Sequence, residues 1–266
     1  MASARQPAPA VVSCGSVPAA GYQDLPPKQD QPSAPRARKV DAERTRQEIL
    51  TVAREEFAEN GLSGARVDAI AARTQTSKRM IYYYFGSKDG LYLEVLGQAY
   101  AEIRALERGL DLHSLSPVDA IRRIAEFTLD YHDDHPDFVR LVSIENIHHG
   151  RYIAQSEIIR NLNTTVIEVL GGILRRGERD GLFKPGIDPV DVHLMMSALS
   201  FYRVSNRHTF GRLFGRDLAD AAVKRRHKQM LGDAVLGYIL DTRHEAAAGS
   251  KAPEDLAPAK KAKRRA

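Results

Sequence analysis

The strongest constraint on the fold is a pair of short helical segments separated by three residues. The first, residues 67–73, repeats apolar side chains at helical spacing, which predicts one buried face. Residues 74–76 then form a turn, and Ser77 is a residue type that caps the N-terminus of a following helix. That second helix is predicted over 78–85. Two short helices joined by so tight a turn are typical of a helix-turn-helix.

The second of these helices has two chemically different faces. At a helical period, Ile81 and Phe85 point the same way and are expected to pack on the first helix, whereas Arg79 and Tyr83 point away from them. The tyrosines could instead be packing residues, but a single short helix cannot bury three such directions against one partner. An arginine can donate two hydrogen bonds to guanine, and tyrosine hydroxyls reach phosphates. The exposed face therefore predicts contact with DNA.

The run from Ile49 to Lys88 resembles the DNA-binding domain of the TetR family, and the stretch Ile-Tyr-Tyr-Tyr-Phe-Gly-Ser-Lys at 81–88 is its most specific part. The resemblance implies a homodimer that binds double-stranded operator DNA. It places six residues at positions that contact bases or the phosphate backbone: Ser77, Lys78, Arg79, Tyr82, Tyr83 and Lys88.

Two residues depart from the family pattern. Arg66 stands where a threonine cap is frequent, so we expect a weaker cap, and Arg66 becomes a further candidate for a phosphate contact. Gln75 stands where the turn often has glycine, which is costly if its φ is positive. The basic arm at 36–39 either reaches into the minor groove or is disordered.

The rest of the chain predicts an all-α fold with about nine helices, since alternating strand patterns are missing. We expect Asp41 to cap the first helix. The predicted divisions are a disordered tail at 1–38, the DNA-binding domain at 39–86, a helical ligand-binding and dimerisation domain at 87–244, and a disordered basic tail at 245–266.

Composition and charge exclude several further classes of binding site and protein. The net charge is +5, but the excess lies in the two tails, so charge alone is weak support for nucleic-acid binding. The single cysteine excludes a disulfide framework and a cysteine zinc site. No apolar run is long enough to span a membrane, so we expect a cytoplasmic protein without a membrane partner.

The C-terminal region is expected to bind a small-molecule effector. Polar side chains among apolar ones are the candidates, although a helix-surface or interhelical hydrogen bond explains each of them singly better than a ligand contact does: Tyr131, Glu145, Asn146, His148, His149, Tyr202, Arg203 and Asn206. Residues 137–146 also resemble a TetR subgroup associated with catabolic pathways for aromatic or organic-acid compounds. Apolar faces at 189–206 and 217–241 are expected to form the dimer interface or an intramolecular core.

Other functions are less consistent with the sequence. His132, His135, His148 and His149 could bind a metal, but His135 precedes Pro136 and is expected to lie off the helix, so we expect no metal. No motif of a phosphate loop, a nucleophile elbow or a zinc protease occurs, so we expect neither catalytic residues nor a cofactor. The prediction is a ligand-released repressor; the alternatives are an activator and a non-specific nucleoid protein.

Overall fold

The computed structural model describes the backbone of residues 35–241 and the side chains of residues 40–241. Contacts divide the chain into two units, Met1–Val40 and Asp41–Ala266, and all side-chain packing below belongs to the second. The described residues form ten α-helices and one short 3-10 helix, Ile153–Gln155: α1 Pro35–Gly64, α2 Val67–Arg73, α3 Lys78–Phe85, α4 Lys88–Arg108, α5 Pro117–Asp134, α6 Pro136–Ile147, α7 Glu157–Arg179, α8 Pro189–Ser205, α9 Arg207–Phe214 and α10 Ala221–Ile239.

The predicted all-α fold is confirmed, with one helix more than expected. Over residues 35–241 the only β-type pairing is an isolated bridge between Phe183 and Leu240. The additional helix is α9, which is separated from α8 by the non-helical Asn206 and ends at the left-handed Gly215. No helix in the described part of the chain is both long enough and apolar enough to cross a membrane.

The first helix starts earlier than the sequence analysis predicts. Asp41 is not its N-cap, because α1 already begins at Pro35, a residue type favoured in the first turn of a helix. Gly61 adopts a φ of 69° and interrupts the helical geometry, as expected of a residue near a helix end that tolerates positive φ. The predicted disordered ends outside residues 35–241, Cys14, and the side chains of the 36–39 arm lie outside the described residues.

Other predicted helix starts agree closely with the structure. The Ser116 hydroxyl accepts a hydrogen bond from the Asp119 N–H at 3.1 Å, and the Asp188 carboxylate accepts one from the Val190 N–H at 2.8 Å. Each cap precedes a proline at the start of a helix, where its missing N–H costs nothing. The sequence therefore determines where α5 and α8 begin.

Two apolar cores hold the helices together. One joins α1, α2 and α3 to α4 and α6, with Phe57 against Tyr92 in an edge-to-face contact at 5.2 Å between ring centroids. The other joins α5, α7, α8 and α10 around buried residues such as Ile121 and Val192. Helix α4 therefore belongs to the same core as the helix-turn-helix.

Gly177 in α7 provides a test of this packing. A Cβ at Gly177 would lie 1.9 Å from a ring carbon of Phe183, so Gly177→Ala should lower the free energy of unfolding by about 1–3 kcal/mol, measured by urea denaturation. Gly172→Ala in the same helix is the control, since its Cβ would meet nothing within 4 Å and should stabilise by about 0.5–1 kcal/mol. Equal effects of the two substitutions would contradict the packing described.

Candidate DNA-binding surface and ligand cavity

The turn between α2 and α3 is held by backbone hydrogen bonds. The Thr76 N–H donates to the Ala71 carbonyl at 3.1 Å, and the Thr74 hydroxyl donates to the Ile70 carbonyl at 2.9 Å. Gln75 has a φ of 50°, a conformation that favours glycine. The conformational free-energy cost that the sequence predicts for a non-glycine residue at position 75 is therefore present.

Helix α3 is oriented by its apolar side. The Ser77 hydroxyl accepts a hydrogen bond from the Met80 N–H at 3.2 Å and caps the helix, while Ile81 and Phe85 are buried. The opposite side is in solvent: Arg79 and Tyr82 are exposed, and Tyr83 is 78% exposed. This side of α3 is called the recognition face, defined by Arg79, Tyr82 and Tyr83.

The cations beside the recognition face differ in how freely they can move. Lys78 forms an ion pair with Asp68 of α2, and both side chains are about half exposed. Lys88 donates to the Ser63 carbonyl at 3.3 Å, which places its ammonium at the edge of the helix-turn-helix. Arg79 has no ion pair or side-chain hydrogen bond with any residue from 40 to 241.

Arg66 is the N-cap residue of α2, and its side chain forms no capping hydrogen bond. The weaker cap expected from the sequence is therefore present. Its backbone N–H donates instead to the Glu56 carboxylate of α1 at 3.0 Å, and its side chain is exposed. The guanidinium is thus available at the start of α2.

A cavity of about 190 Å³ lies among α4, α5, α6, α7 and α8. Four of its lining side chains are acidic or basic, Arg104 and Glu107 of α4, His132 of α5 and His193 of α8. Aromatic rings form much of the remaining wall. A cavity with a few polar groups among apolar walls is the kind of place where a small ligand would bind.

The charged pair in the cavity is poorly solvated. Arg104 Nη1 lies 2.7 Å from Glu107 Oε2, an ion-pair distance, but without the alignment of a hydrogen bond. Burial raises the pKa of Glu107 to about 7, although the neighbouring Arg104 opposes that shift. Burial also lowers the pKa of Arg104. Both shifts reflect the cost of removing charges from water.

Both histidines of the cavity resist protonation. Burial lowers the pKa of His132 to about 4, and electrostatic interactions with His193, Arg104 and His135 add to this effect. Burial and Arg104 lower the pKa of His193 to about 4 as well. Both rings are therefore neutral at pH 7 and can donate or accept one hydrogen bond at each nitrogen.

The structure does not gather the predicted ligand residues around this cavity. None of the eight predicted candidates lines it: Tyr131, Glu145, Asn146, His148, His149, Tyr202, Arg203 and Asn206. Asn146, His149 and Tyr202 are exposed, and Asn206 lies between α8 and α9. Tyr131 is buried behind the cavity, stacked on His135 with 4.1 Å between ring centroids.

Glu145 has a structural role that the sequence analysis did not foresee. Its Oε1 accepts hydrogen bonds from the backbone N–H groups of Tyr152 at 2.7 Å and Ile153 at 3.0 Å. The buried carboxylate thus holds the segment between α6 and α7. Arg203, the other buried candidate that carries a charge, donates to the Leu218 carbonyl and to Asp133, so it joins α8 to its neighbours.

Sequence reasoning missed Arg104, Glu107 and His193. The signal was present in α4, where Tyr100, Ile103, Arg104 and Glu107 follow the spacing of a single helix face. Two charged residues on an otherwise apolar face are unusual. Among the described residues, no three His, Cys, Asp or Glu side chains are grouped closely enough to hold a metal ion.

Comparisons with known proteins agree with this architecture. A family model described as bacterial regulatory proteins, tetR family, matches residues 49–95, and one described as a tetracyclin repressor-like C-terminal domain matches residues 117–235. The HTH-type transcriptional repressor NicS of Pseudomonas putida is 36% identical over 195 residues, which cover 73% of this chain and 92% of NicS. The HTH-type transcriptional regulator RutR of Escherichia coli is 28% identical over 167 residues, covering 61% of this chain and 74% of RutR.

Solved structures share the fold. The transcriptional regulator SCO4942 of Streptomyces coelicolor aligns with a TM-score of 0.55 at 27% identity, over 73% of this chain and 98% of that one. FadR of Bacillus subtilis, solved with stearoyl-CoA, aligns with a TM-score of 0.52 at 17% identity, over 70% of this chain and 96% of FadR. At that identity the likeness to FadR concerns the fold alone.

The buried histidines predict a loss of stability in acid. In the unfolded chain the pKa of His132 is near 6.5. As the pH falls from 6.5 towards 4, the unfolded chain therefore binds a proton at His132 that the folded chain does not bind. Stability from this group is complete above pH 6.5 and declines through that window. Between about pH 7.5 and about pH 5, urea denaturation should show the wild type losing about 1–2 kcal/mol more than His132→Asn.

The exposed His113 supplies the control, since His113→Asn should lose as much stability over the same pH range as the wild type. The assignment of His132 as a buried neutral group is wrong if His132→Asn loses stability with pH as steeply as the wild type does.

Proposed function

Since the chain belongs to the TetR family of bacterial regulators, we propose that this DNA-binding transcriptional regulator is a homodimeric repressor that releases a palindromic operator when a small molecule binds. The observation that carries the proposal is the recognition face, exposed because the opposite side of α3 is buried. A basic and aromatic surface on the second helix of a helix-turn-helix fits the major groove.

Each predicted contact residue has a distinct role in this proposal. Arg79, which has no competing partner, reads a base edge, and Tyr82 and Tyr83 donate to phosphates. Lys78 would have to leave Asp68, which costs little because exposed ion pairs contribute about 0–1 kcal/mol. Lys88 and Arg66 flank the recognition face and neutralise the phosphate backbone, and Ser77 contributes at the start of α3.

Dimerisation is supported by apolar side chains that the single chain leaves in solvent. Val190 and Leu194 of α8 and Met230 and Tyr238 of α10 are all exposed. Two copies packed through these helices would bury them in a four-helix interface. A two-fold symmetric pair of recognition faces, separated by one DNA turn of about 34–36 Å, would match a palindromic operator.

Helix α4 offers a physical route for ligand release. Its C-terminal half carries Arg104 and Glu107 at the cavity, and its carboxylates pair with arginines of α1: Glu94 with Arg46, and Glu102 with Arg54. A ligand that displaces α4 would therefore move α1 and the helix-turn-helix. A coupling of about 1–3 kcal/mol would change operator affinity by about 5–150-fold.

The name of one relative is relevant to whether the regulator represses or activates transcription. NicS is named a transcriptional repressor, which favours repression over activation on the same fold. A non-specific nucleoid protein remains the contrasting function, and it predicts similar affinity for any duplex. A repressor should instead prefer its own site by about 10³–10⁷-fold.

The recognition face is tested by substituting Arg79. Footprinting on the DNA that flanks the protein's own gene would supply the duplex. Arg79→Ala should weaken binding to that duplex by about 1–3 kcal/mol and relax the preference at one base position, whereas Lys88→Ala should weaken all sequences similarly and reduce the salt dependence by about one unit. Fluorescence anisotropy at several salt concentrations measures both effects.

Arg179→Ala is the matched control, because Arg179 is an exposed arginine at the end of α7, remote in sequence from the helix-turn-helix. It should bind as the wild type does. Full operator affinity in both Arg79→Ala and Lys88→Ala would exclude the proposed contacts, and equal wild-type affinity for scrambled duplexes would favour the nucleoid function.

The dimer is tested at Leu194, which is 64% exposed. Leu194→Asp should leave the monomer folded but place a carboxylate in an apolar interface, where an unpaired charge is strongly unfavourable. Sedimentation should therefore report a monomer, with reduced operator affinity. Ile158→Asp on α7, equally exposed at 72%, should remain dimeric. A wild-type protein that sediments as a monomer would contradict the interface.

A further inference from the structure

The cavity contains a buried cation whose hydrogen-bonding capacity is not satisfied. Arg104 is 4% exposed, and its Nε and Nη1 have no hydrogen-bond partner in the described structure. The contact with Glu107 supplies charge at 2.7 Å but not a directed bond. Buried donors without acceptors are costly and uncommon, so the described fold does not by itself use the full hydrogen-bonding capacity of this guanidinium.

The positions of the free donors indicate the shape of that acceptor. Nε and Nη1 lie on different edges of one planar guanidinium, and each edge presents a pair of N–H groups that matches the two oxygens of a carboxylate. A second unpartnered polar atom, His132 Nδ1, belongs to a side chain that is 5% exposed and lines the same cavity. A carboxylate that carries a further polar substituent would satisfy both side chains.

The walls and volume limit the remainder of the molecule. The Phe138 ring lies 5.4 Å from Tyr100 at 80° and 5.7 Å from His132 at 24°, and Phe201 meets His132 edge-on at 6.2 Å. Such rings favour a flat aromatic partner. A volume of about 190 Å³ suits a single ring better than a long acyl chain.

We propose that the effector is a small aromatic carboxylate, with its carboxylate on Arg104, its ring among Tyr100, Phe138 and Phe201, and a polar atom near His132. The proposal rests on the proposed function for the assumption that this cavity is the effector site. Glu107 competes with the ligand for Arg104, so the two carboxylates exchange places on one guanidinium. His132 and His193 are neutral, which leaves Arg104 as the cation that selects the anion.

Benzoate, benzamide and cyclohexanecarboxylate separate the contributions of charge and ring. Calorimetry on the full-length dimer without DNA should detect benzoate binding, at least about tenfold tighter than benzamide, which has the same shape without the charge. Cyclohexanecarboxylate keeps the charge but loses the flat ring, so its affinity should fall several-fold. If the wild-type protein does not bind benzoate at about 10 mM, or binds benzamide with equal affinity, the proposal is overturned by the wild-type measurement alone.

Two substitutions in α4 should act in opposite directions. Arg104→Gln should lose benzoate affinity by at least about tenfold while changing benzamide affinity much less. Glu107→Gln should bind benzoate more tightly, because the competing carboxylate is gone. Arg179→Gln removes an exposed arginine from α7 and should match the wild type. Unchanged benzoate affinity in a folded Arg104→Gln protein overturns the assignment of Arg104.

The same titration repeated on the protein–operator complex distinguishes this proposal from the proposed function. If benzoate binds through Arg104 but the operator complex persists, the ligand class stands and ligand-triggered release fails. If operator binding is specific and benzoate has no effect on either calorimetry or DNA, the repressor function stands and the ligand class fails.

Discussion

The packing of α1 against α4 is the contact on which both functional regions depend. Phe57 and Tyr92, both fully buried, meet edge to face at the centre of this contact, and the ion pairs of Arg46 and Arg54 lie along it. Because Arg54 also pairs with Asp137 of α6, three helices converge on one guanidinium. The helix-turn-helix therefore rests on the same helix that carries Arg104, and a change at the cavity has a contiguous physical route to α3.

The sequence predicted the DNA-binding region well because its signals are local. The cap residue Ser77 indicates where α3 begins, and the spacing of Ile81 and Phe85 indicates which side is buried. Both features depend only on residues that are close in sequence. The cavity could not be predicted in the same way, because its walls come from five helices that are distant in sequence. Asp41 illustrates a different limit: a good capping residue is overridden when the preceding residues continue the helix.

Glu145 and Arg104 show why residue type alone did not identify the ligand site. Both are buried and charged, and both would be candidates by composition. Oε1 of Glu145 accepts two backbone N–H groups and thereby closes the segment after α6, whereas Arg104 makes no directed hydrogen bond through Nε or Nη1 and lines a cavity. A buried charged group that bonds to the backbone holds the fold together, and one that lines a cavity is a candidate to bind a ligand. Only a structure distinguishes these two cases.

Charge pairing also bears on why this surface would discriminate among DNA sequences. Near α3, Lys78 is paired with Asp68 and Arg73 with Glu55, so much of the positive charge of the helix-turn-helix is already neutralised. Non-specific affinity depends on the number of phosphates neutralised, and pairing lowers that number. Arg79 keeps its full hydrogen-bonding capacity on the recognition face. On the proposal that Arg79 reads a base edge, a site that restrains its general attraction to phosphate while leaving Arg79 unpaired gains specificity from the difference between right and wrong sequences.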